Sequence, residues 1–280
     1  MLIDGKALAQ RVREETAREA AALPRKAGLA VVLVGDDPAS RIYVSGKERD
    51  CEQCGFMSRE YKFDDTVTQE TLLELIFSLN RDAGIDGILV QLPLPEHIDE
   101  DAIIEAISPE KDVDAFHPVN VGRLSAGKPV LLPCTPAGIM EMLRAYEIPV
   151  EGRVCTVVGR SNIVGKPMAM MLLRANGTVI SCHSRTPKLA EFTRQADILV
   201  VAAGHRGLIT GDMIKPGAAV IDVAMNRDAE TGKFTGDVVF DEAVKRAAYI
   251  TPVPGGVGPM TRAMLMRNIL AAAKQHIYGK

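Results

Sequence analysis

Short apolar runs recur along this chain, each set against a stretch that suits a helix, and this alternation restricts the fold more than any other feature. In the first half a helix is expected over 5–22, a strand at LAVVLVG (29–35) and, after a DDP turn, a helix over about 39–54. FMSREYKF then reads as a strand and TQETLLELIFSLNRD as an amphipathic helix. GILVQLPLP reads as a strand that stops at its prolines, which lack an N–H for the ladder. A second series begins near residue 150, where VCTVVG, TVISC, ILVVAA and AAVIDV are short β-rich runs separated by helical stretches or loops. Strands alternating with helices imply parallel βαβ units. The second series has the pattern of an open doubly wound sheet. Between the two series lies KDVDAFHPVNVGRLSAGKPVLLPCTP, rich in Pro and Gly and without clear periodicity. It reads as an interdomain connection with a cleft beside it. The tail PMTRAMLMRNILAAAKQHI makes one more helix, whose apolar face needs a partner and which can cross back to the first half.

The bulk properties exclude several classes. A chain of 280 residues is long enough for one large domain or two modest ones. With 47% apolar and 25% charged residues it has the balance of a soluble globular protein. A net charge of −3 without a long basic run argues against a nucleic-acid reader, which needs a concentrated basic face. The N-terminus carries acids and no apolar stretch of signal-peptide length, and no run approaches the roughly 20 apolar residues of a membrane helix. No membrane partner and a cytoplasmic location are therefore expected. The five cysteines are odd in number and scattered, which argues against a disulfide framework. Cys51-x-x-Cys54 has no second Cys or His pair nearby and is read as two ordinary helix residues. No His, Asp or Glu cluster shows metal-ligand spacing, so no metal is expected.

GRSNIVG (159–165) joins the run VCTVV to KPMAMMLL, so it should be a strand–turn–helix. In such a turn glycine lets the backbone approach a pyrophosphate at the positive end of a helix. Gly159 and Gly165 fit that need, and Ser161 can add a hydroxyl donor. An NAD site places Asp or Glu about 20 residues further on, against the ribose hydroxyls. Here TVISC ends in His183-Ser184-Arg185, with no carboxylate. A hydroxyl and a guanidinium fork suit a 2′-phosphate, and Arg160 can add a second positive contact. The cofactor expected from these residues is NADP.

On a helix over 39–54, Ser40, Tyr43 and Lys47 share one face. Gln91 sits at the carboxyl end of a strand, where α/β sheets bind ligands. Asp112 and Asp114 lie in the Pro/Gly-rich connection, and TPVPGGVGP (251–259) is a stiff–flexible–stiff loop ahead of the last helix. Together these point to a substrate cleft.

YVSGK (43–47), GILVQLPLP (87–95), KDVDAFHP (111–118), PCTP (133–136), GRSNIVGKP (159–167), CHSRT (182–186) and TPVPGGVGPMT (251–261) occur in that order. In combination they resemble the bifunctional methylenetetrahydrofolate dehydrogenase/methenyltetrahydrofolate cyclohydrolase family, along essentially the whole chain. Ala115 and Ala224 depart from it, each standing where glycine is expected.

The resemblance implies two α/β domains with the active-site cleft between them. Residues 1–119 plus 262–280 would form the folate-binding catalytic domain and 120–261 an NADP-binding Rossmann domain. It implies NADP-dependent oxidation of 5,10-methylenetetrahydrofolate to the methenyl cation, then hydrolysis to 10-formyltetrahydrofolate, with a supply of one-carbon units to purine biosynthesis. It also implies a homodimer. Within it Lys47 would be the proton-handling group, a lysine whose pKa is lowered by burial and by a cationic ligand. Gln91 would hold that amine, Tyr43 would contact the folate ring system, and Asp114 would accept hydrogen bonds from the pterin. Ser40, Pro254, Gly255 and Gly256 would line the substrate and Met225 the cofactor. Asp112 is read as a loop cap. His117 and His183 are set aside as acid–base groups, since one precedes a proline and the other ends a cofactor-domain strand. The competing expectations are an NADP-dependent dehydrogenase of a small hydroxy or keto acid, with Lys47 as its acid–base group, and a cofactor-sensing binding protein without chemistry.

Overall fold

Helix α1 (Gly5–Ala20) leads to strand β1 (Gly28–Val34), which is buried at every position, as its continuous apolar run GLAVVLV requires of a strand covered on both faces. The computed structural model describes residues 1–36, 38–227 and 232–279, with the side chains of residues 38–43 outside that description. The chain divides into two compact units, Gln10–Cys134 with Arg262–Lys280 and Met1–Ala9 with Thr135–Thr261.

The first unit is built on three parallel strands. Helix α2 (Pro38–Gln53) connects β1 to β2 (Met57–Phe63), and α3 (Gln69–Arg81) connects β2 to β3 (Gly87–Val90). The order is β2-β1-β3, with Val32 opposite both Tyr61 and Val90. Parallel neighbours need such crossovers, because a tight hairpin reverses direction. α3 starts where Thr68 Oγ1 accepts the Thr71 N–H, and its stripe Leu72, Ile76 and Leu79 packs with Val32, Ile88 and Val90 into one core. Asp86, fully buried just before β3, fastens the sheet. Arg25 grips it with two bonds of 2.7 Å, the Gly28 N–H donates at 2.9 Å and His276 Nδ1 lies at 3.0 Å.

Two short helices of this unit carry no pattern in the sequence. Helix α4 (Glu100–Ala106) is capped by Asp99, and α5 (Pro118–Ser125) lies inside the stretch read above as an irregular connection. In α5 Pro118 takes the first turn, where no N–H is needed, and His117 Nδ1 accepts the Val119 N–H at 3.0 Å. Eight residues are too few turns to show a period. Asn120 Nδ2 bonds Asp112 Oδ2 and Pro109 O, both at 2.9 Å, so α5 stays with the first unit. The units part at 134/135, and the sequence reading divides the chain at 119/120.

The second unit contains a five-stranded parallel sheet. In chain order its elements are α6 (Cys134–Ala145), β4 (Val154–Val158), α7 (Gly165–Arg174), β5 (Thr178–Cys182), α8 (Leu189–Thr193) and β6 (Ile198–Val201). A 3-10 turn at Gly211–Met213 and β7 (Ala219–Asp222) come next, followed by a small antiparallel pair, β8 (Asn226–Arg227) and β9 (Phe234–Thr235). Then come α9 (Phe240–Ala243) and β10 (Tyr249–Ile250), and α10 (Val257–Tyr278) returns the chain to the first unit from Arg262 onward. The strand order is β10-β7-β6-β4-β5. The chain runs from β4 outward to β5, then returns past β4 to β6. Such a reversal opens a crevice at the carboxyl ends of the strands, where doubly wound sheets take their ligands.

Candidate functional site

Lys47 lies on α2, the helix that follows β1, and Gln91 just past β3, the strand beside β1 in the sheet. Lys47 Nζ donates to Gln91 Oε1 at 2.9 Å, and Gln91 Nε2 donates to the Leu92 carbonyl at 2.8 Å. The Gln91 N–H itself bonds Val32 O at 2.9 Å. The amide is thus oriented by main chain at the strand end and presents only its oxygen to the amine.

Burial pushes the Lys47 pKa down, against the pull of Asp114 and the nearby thiols, and Arg262 adds to the downward push. Burial pushes Asp114 the other way, up, while the Lys47 charge and the Cys134 thiol hold it down. Both groups therefore move toward their neutral forms, and each charge restrains the other. Cys134 is held far above its ordinary range by burial and by Asp114. Its Sγ lies 3.4 Å from Val113 O, and Asn268 Nδ2 lies 2.7 Å from Val113 O, 2.7 Å from Leu132 O and 3.5 Å from that sulfur. Asn268 and Cys134 thus tie down the backbone that carries Asp114. Neither stands out in the sequence. Asn268 left a trace, a lone amide in MLMRNILAAA, and Cys134 left none beyond its place in PCTP.

Asp112 takes the His117 N–H at 2.8 Å together with the Asn120 amide, so it shapes the loop. Ala115 takes φ +60 and is buried, so alanine here holds a backbone that favours glycine, at a cost of roughly 1–2 kcal/mol. Ala224 is not among the residues with positive φ, and its methyl meets no such conflict. Ser40 and Tyr43 fall within α2, but their side chains lie outside the described residues. Pro254, Gly255 and Gly256 belong to the other compact unit, in the loop before α10. Cys51 and Cys54 are buried free thiols, which burial raises to about 12 and about 11.

The cofactor candidates lie on the second unit. Gly159 closes β4 with φ +126, and its N–H is spent on Cys182 O at 2.8 Å. A Cβ on Gly159 would overlap the Ala202 carbonyl, and one on Gly165 would overlap the Gly159 carbonyl. These glycines serve the close approach of turn, strand and helix. Ser161 Oγ accepts the Val164 and Gly165 N–H groups at 3.2 and 3.3 Å, which leaves its own hydrogen free to donate. Arg160, Ser161, Ser184 and Arg185 are exposed. Among the described residues neither guanidinium has an intramolecular partner, and the end of β5 carries no carboxylate. His183 is used locally: its Nδ1 accepts the Arg185 N–H at 3.2 Å and its N–H bonds Thr186 Oγ1 at 2.9 Å. Past β6 and β7 two buried carboxylates brace the loops. Asp237 takes the Ala203 and Gly204 N–H groups at 2.7 and 2.9 Å and the Asn226 amide at 2.8 Å. Asp222 takes the Asp237 and Val238 N–H groups at 3.0 and 2.9 Å, and burial raises it to about 7. Met225, 41% exposed, lies on the loop they hold. A close-packed glycine turn, a free hydroxyl and two unpaired guanidiniums fit a phosphorylated dinucleotide.

The catalytic-domain model of tetrahydrofolate dehydrogenase/cyclohydrolase matches residues 3–114, and the NAD(P)-binding-domain model of the same family matches residues 133–277. The chain belongs to this family. It is an enzyme with two activities on tetrahydrofolate derivatives, a dehydrogenase and a cyclohydrolase, and its C-terminal half is the NAD(P)-binding domain. The bifunctional protein FolD of Acetivibrio thermocellus is 56% identical over 98% of this chain and 96% of its own. The bifunctional enzyme FolD of Campylobacter jejuni matches with a TM-score of 0.96 at 52% identity, over 98% of this chain and 99% of that one. The Trypanosoma brucei dehydrogenase-cyclohydrolase, solved with NADP and an inhibitor, matches with a TM-score of 0.96 at 42% identity, over 99% and 98%. A hydroxy- or keto-acid dehydrogenase is not favoured by these relationships.

Proposed function

We propose that the chain oxidises 5,10-methylenetetrahydrofolate with NADP and then hydrolyses the methenyl product to 10-formyltetrahydrofolate, with Lys47 handling the proton of the second step. The observation that carries this reading is the bond from Lys47 to Gln91, with the half-buried Asp114 carboxyl acting on the same amine. A bound nicotinamide would supply the acceptor for the hydride that leaves the one-carbon bridge. Arg185 and Ser184 would hold the 2′-phosphate, with Arg160 as a second cation, while Gly159, Ser161 and Gly165 would shape the pyrophosphate turn and Met225 would border the ring. The unpaired Arg185 guanidinium just past β5, with no carboxylate at that strand end, supports NADP over NAD.

The hydrolytic step adds water to the methenyl carbon and breaks one ring C–N bond. A free Lys47 amine takes a proton from the attacking water and returns one to the departing nitrogen. The net proton leaves to solvent. Gln91 keeps the amine pointed at the reacting carbon without adding a charge that would re-protonate it. Asp114, as a carboxylate, accepts two N–H donors of the pterin side by side. Ser40, Tyr43, Pro254, Gly255 and Gly256 would complete the substrate contacts.

A homodimer, a cytoplasmic location and a supply of one-carbon units to purine biosynthesis are part of the same proposal. β5 ends the strand order and leaves a pairing edge, which supports a second copy. Light scattering on the purified chain reads that directly. The central test is turnover of 5,10-methylenetetrahydrofolate with NADP, following reduced cofactor and methenyl absorbance together. Cofactor reduction without decay of the methenyl intermediate would remove the hydrolytic half of the reading.

A further inference from the structure

Three helices of the first unit meet at a buried carboxylate. Asp50, on α2, is 5% exposed. Arg262, near the start of α10, places Nε 3.2 Å from Asp50 Oδ2, and Arg13, on α1, places its own Nε 3.5 Å from Oδ1. Arg13 is already engaged, donating from Nε to Gln53 Oε1 and from Nη2 to Gln10 Oε1, each at 2.8 Å. Asp50 is thus shared between two guanidiniums, and the trio keeps a net positive charge. Arg49 also faces this carboxylate. The Arg262 guanidinium lies against the backbone of Gly46, where a Cβ would overlap Nη1.

We infer that Arg262 is a positioning residue for the hydrolytic step: its ion pair with Asp50 holds the guanidinium against Gly46, the residue before Lys47. This rests on the reading of Lys47 given above. A guanidinium stays charged at every working pH. A fixed cation beside Lys47 disfavours a second one and so favours the free amine. Among the described residues, the charged and titratable groups that face Lys47 are Asp114, Cys134, Cys51 and Arg262. Arg262 is the cation among them, and the other three favour the ammonium form. Glycine weakens a helix interior, so its presence midway along α2 has a packing reason, and the guanidinium supplies it. Asp50 performs a second service. It holds the charge in place, and Arg13 on its far side keeps the carboxylate from cancelling that charge.

The test is competitive acylation of the full chain across pH, read by mass spectrometry on the Lys47 peptide, beside the pH profile of hydrolysis. In wild type Lys47 should titrate below an ordinary lysine. Arg262→Met should move that titration, and the acid limb of hydrolysis, up by about one pH unit. Near neutral pH this leaves about tenfold less free amine. Arg262→Lys keeps the charge and should keep the wild-type profile. Arg262→Met combined with Asp50→Asn leaves no unpaired buried carboxylate, and it should show the same upward shift even if the single variant does not fold. A depressed Lys47 titration that neither Met variant moves overturns this inference alone. An ordinary lysine titration in wild type overturns the base reading and this inference with it.

Discussion

Lys47 Nζ stands 2.9 Å from Gln91 Oε1, and the Gln91 nitrogen is already committed to Leu92 O at 2.8 Å. The amine therefore meets a neutral acceptor whose orientation the strand end dictates. Gln91→Glu would replace that acceptor with a carboxylate of the same length. The new charge favours the ammonium, so hydrolysis should fall by about 10²-fold near neutral pH and recover as pH rises. The pH dependence of methenyltetrahydrofolate hydrolysis reads this. A loss of equal size at every pH would assign Gln91 to binding instead.

The alternation of β and α segments was legible because long helices and buried parallel strands carry strong patterns, as in α3 with Leu72, Ile76 and Leu79 and in β1 with GLAVVLV. The short helices α4 and α5 escaped, since seven or eight residues do not display a period, and α5 is set by a cap at His117 and a lone proline. Lys47 and Gln91 could be singled out by chemistry and position. The shell that holds them could not. Cys134 and Asn268 act through the backbone of Val113, and Asp50 joins Arg13 to Arg262 from opposite ends of the chain. Such pairings depend on how helices cross, which one-dimensional spacing does not report.

Arg185 is expected to set cofactor preference. Its guanidinium is exposed and without an intramolecular partner among the described residues, so a 2′-phosphate gains a charge-assisted bond there. Arg185→Ala should reduce discrimination against NAD by about 1–3 kcal/mol in kcat/KM. Parallel assays with NADP and NAD measure it. A wild-type preference for NAD would overturn the NADP reading outright.

Asp114 should read the folate in its ionised form. Burial raises its pKa, so the carboxylate is present above that raised value and is lost as pH falls through it. Folate affinity should decline toward acid pH earlier than for an ordinary aspartate. Asp114→Asn, which swaps one acceptor for a donor, should weaken binding at all pH and harm both activities. A direct titration with an unchanged dissociation constant would discard the role.

Asp86 should govern acid stability. Burial alone would raise its pKa, but the bonds from Arg25, His276 and Gly28 outweigh it and hold the carboxyl down to about 2. A depressed folded-state value means that the stabilisation is complete above the ordinary aspartate range. It drains away as pH falls from about 4 to about 2, and it amounts to about 2 kcal/mol. Urea unfolding from pH 6 to pH 2 should show this slope. In Asp86→Asn the slope should be smaller and the stability at pH 7 lower, because Arg25 is left without its partner.

Lys47→Met separates the two reactions. Methionine keeps much of the apolar stem and removes the amine. Oxidation of the methylene bridge needs alignment and exclusion of water rather than a base. Opening the methenyl ring needs a group that takes a proton from water and returns one to nitrogen. Hydrolysis should therefore fall by at least about 10²-fold, while the dehydrogenase loses less. The wild-type profile should report a group titrating below the lysine reference of about 10.4. The direction follows from burial and from Arg262, reinforced by a cationic ligand. Thermal stability and folate affinity must match wild type for the comparison to count. Wild-type hydrolysis in the Met variant would mean that water or another residue carries the proton, and that the hydrogen bond to Gln91 serves only to seat the substrate.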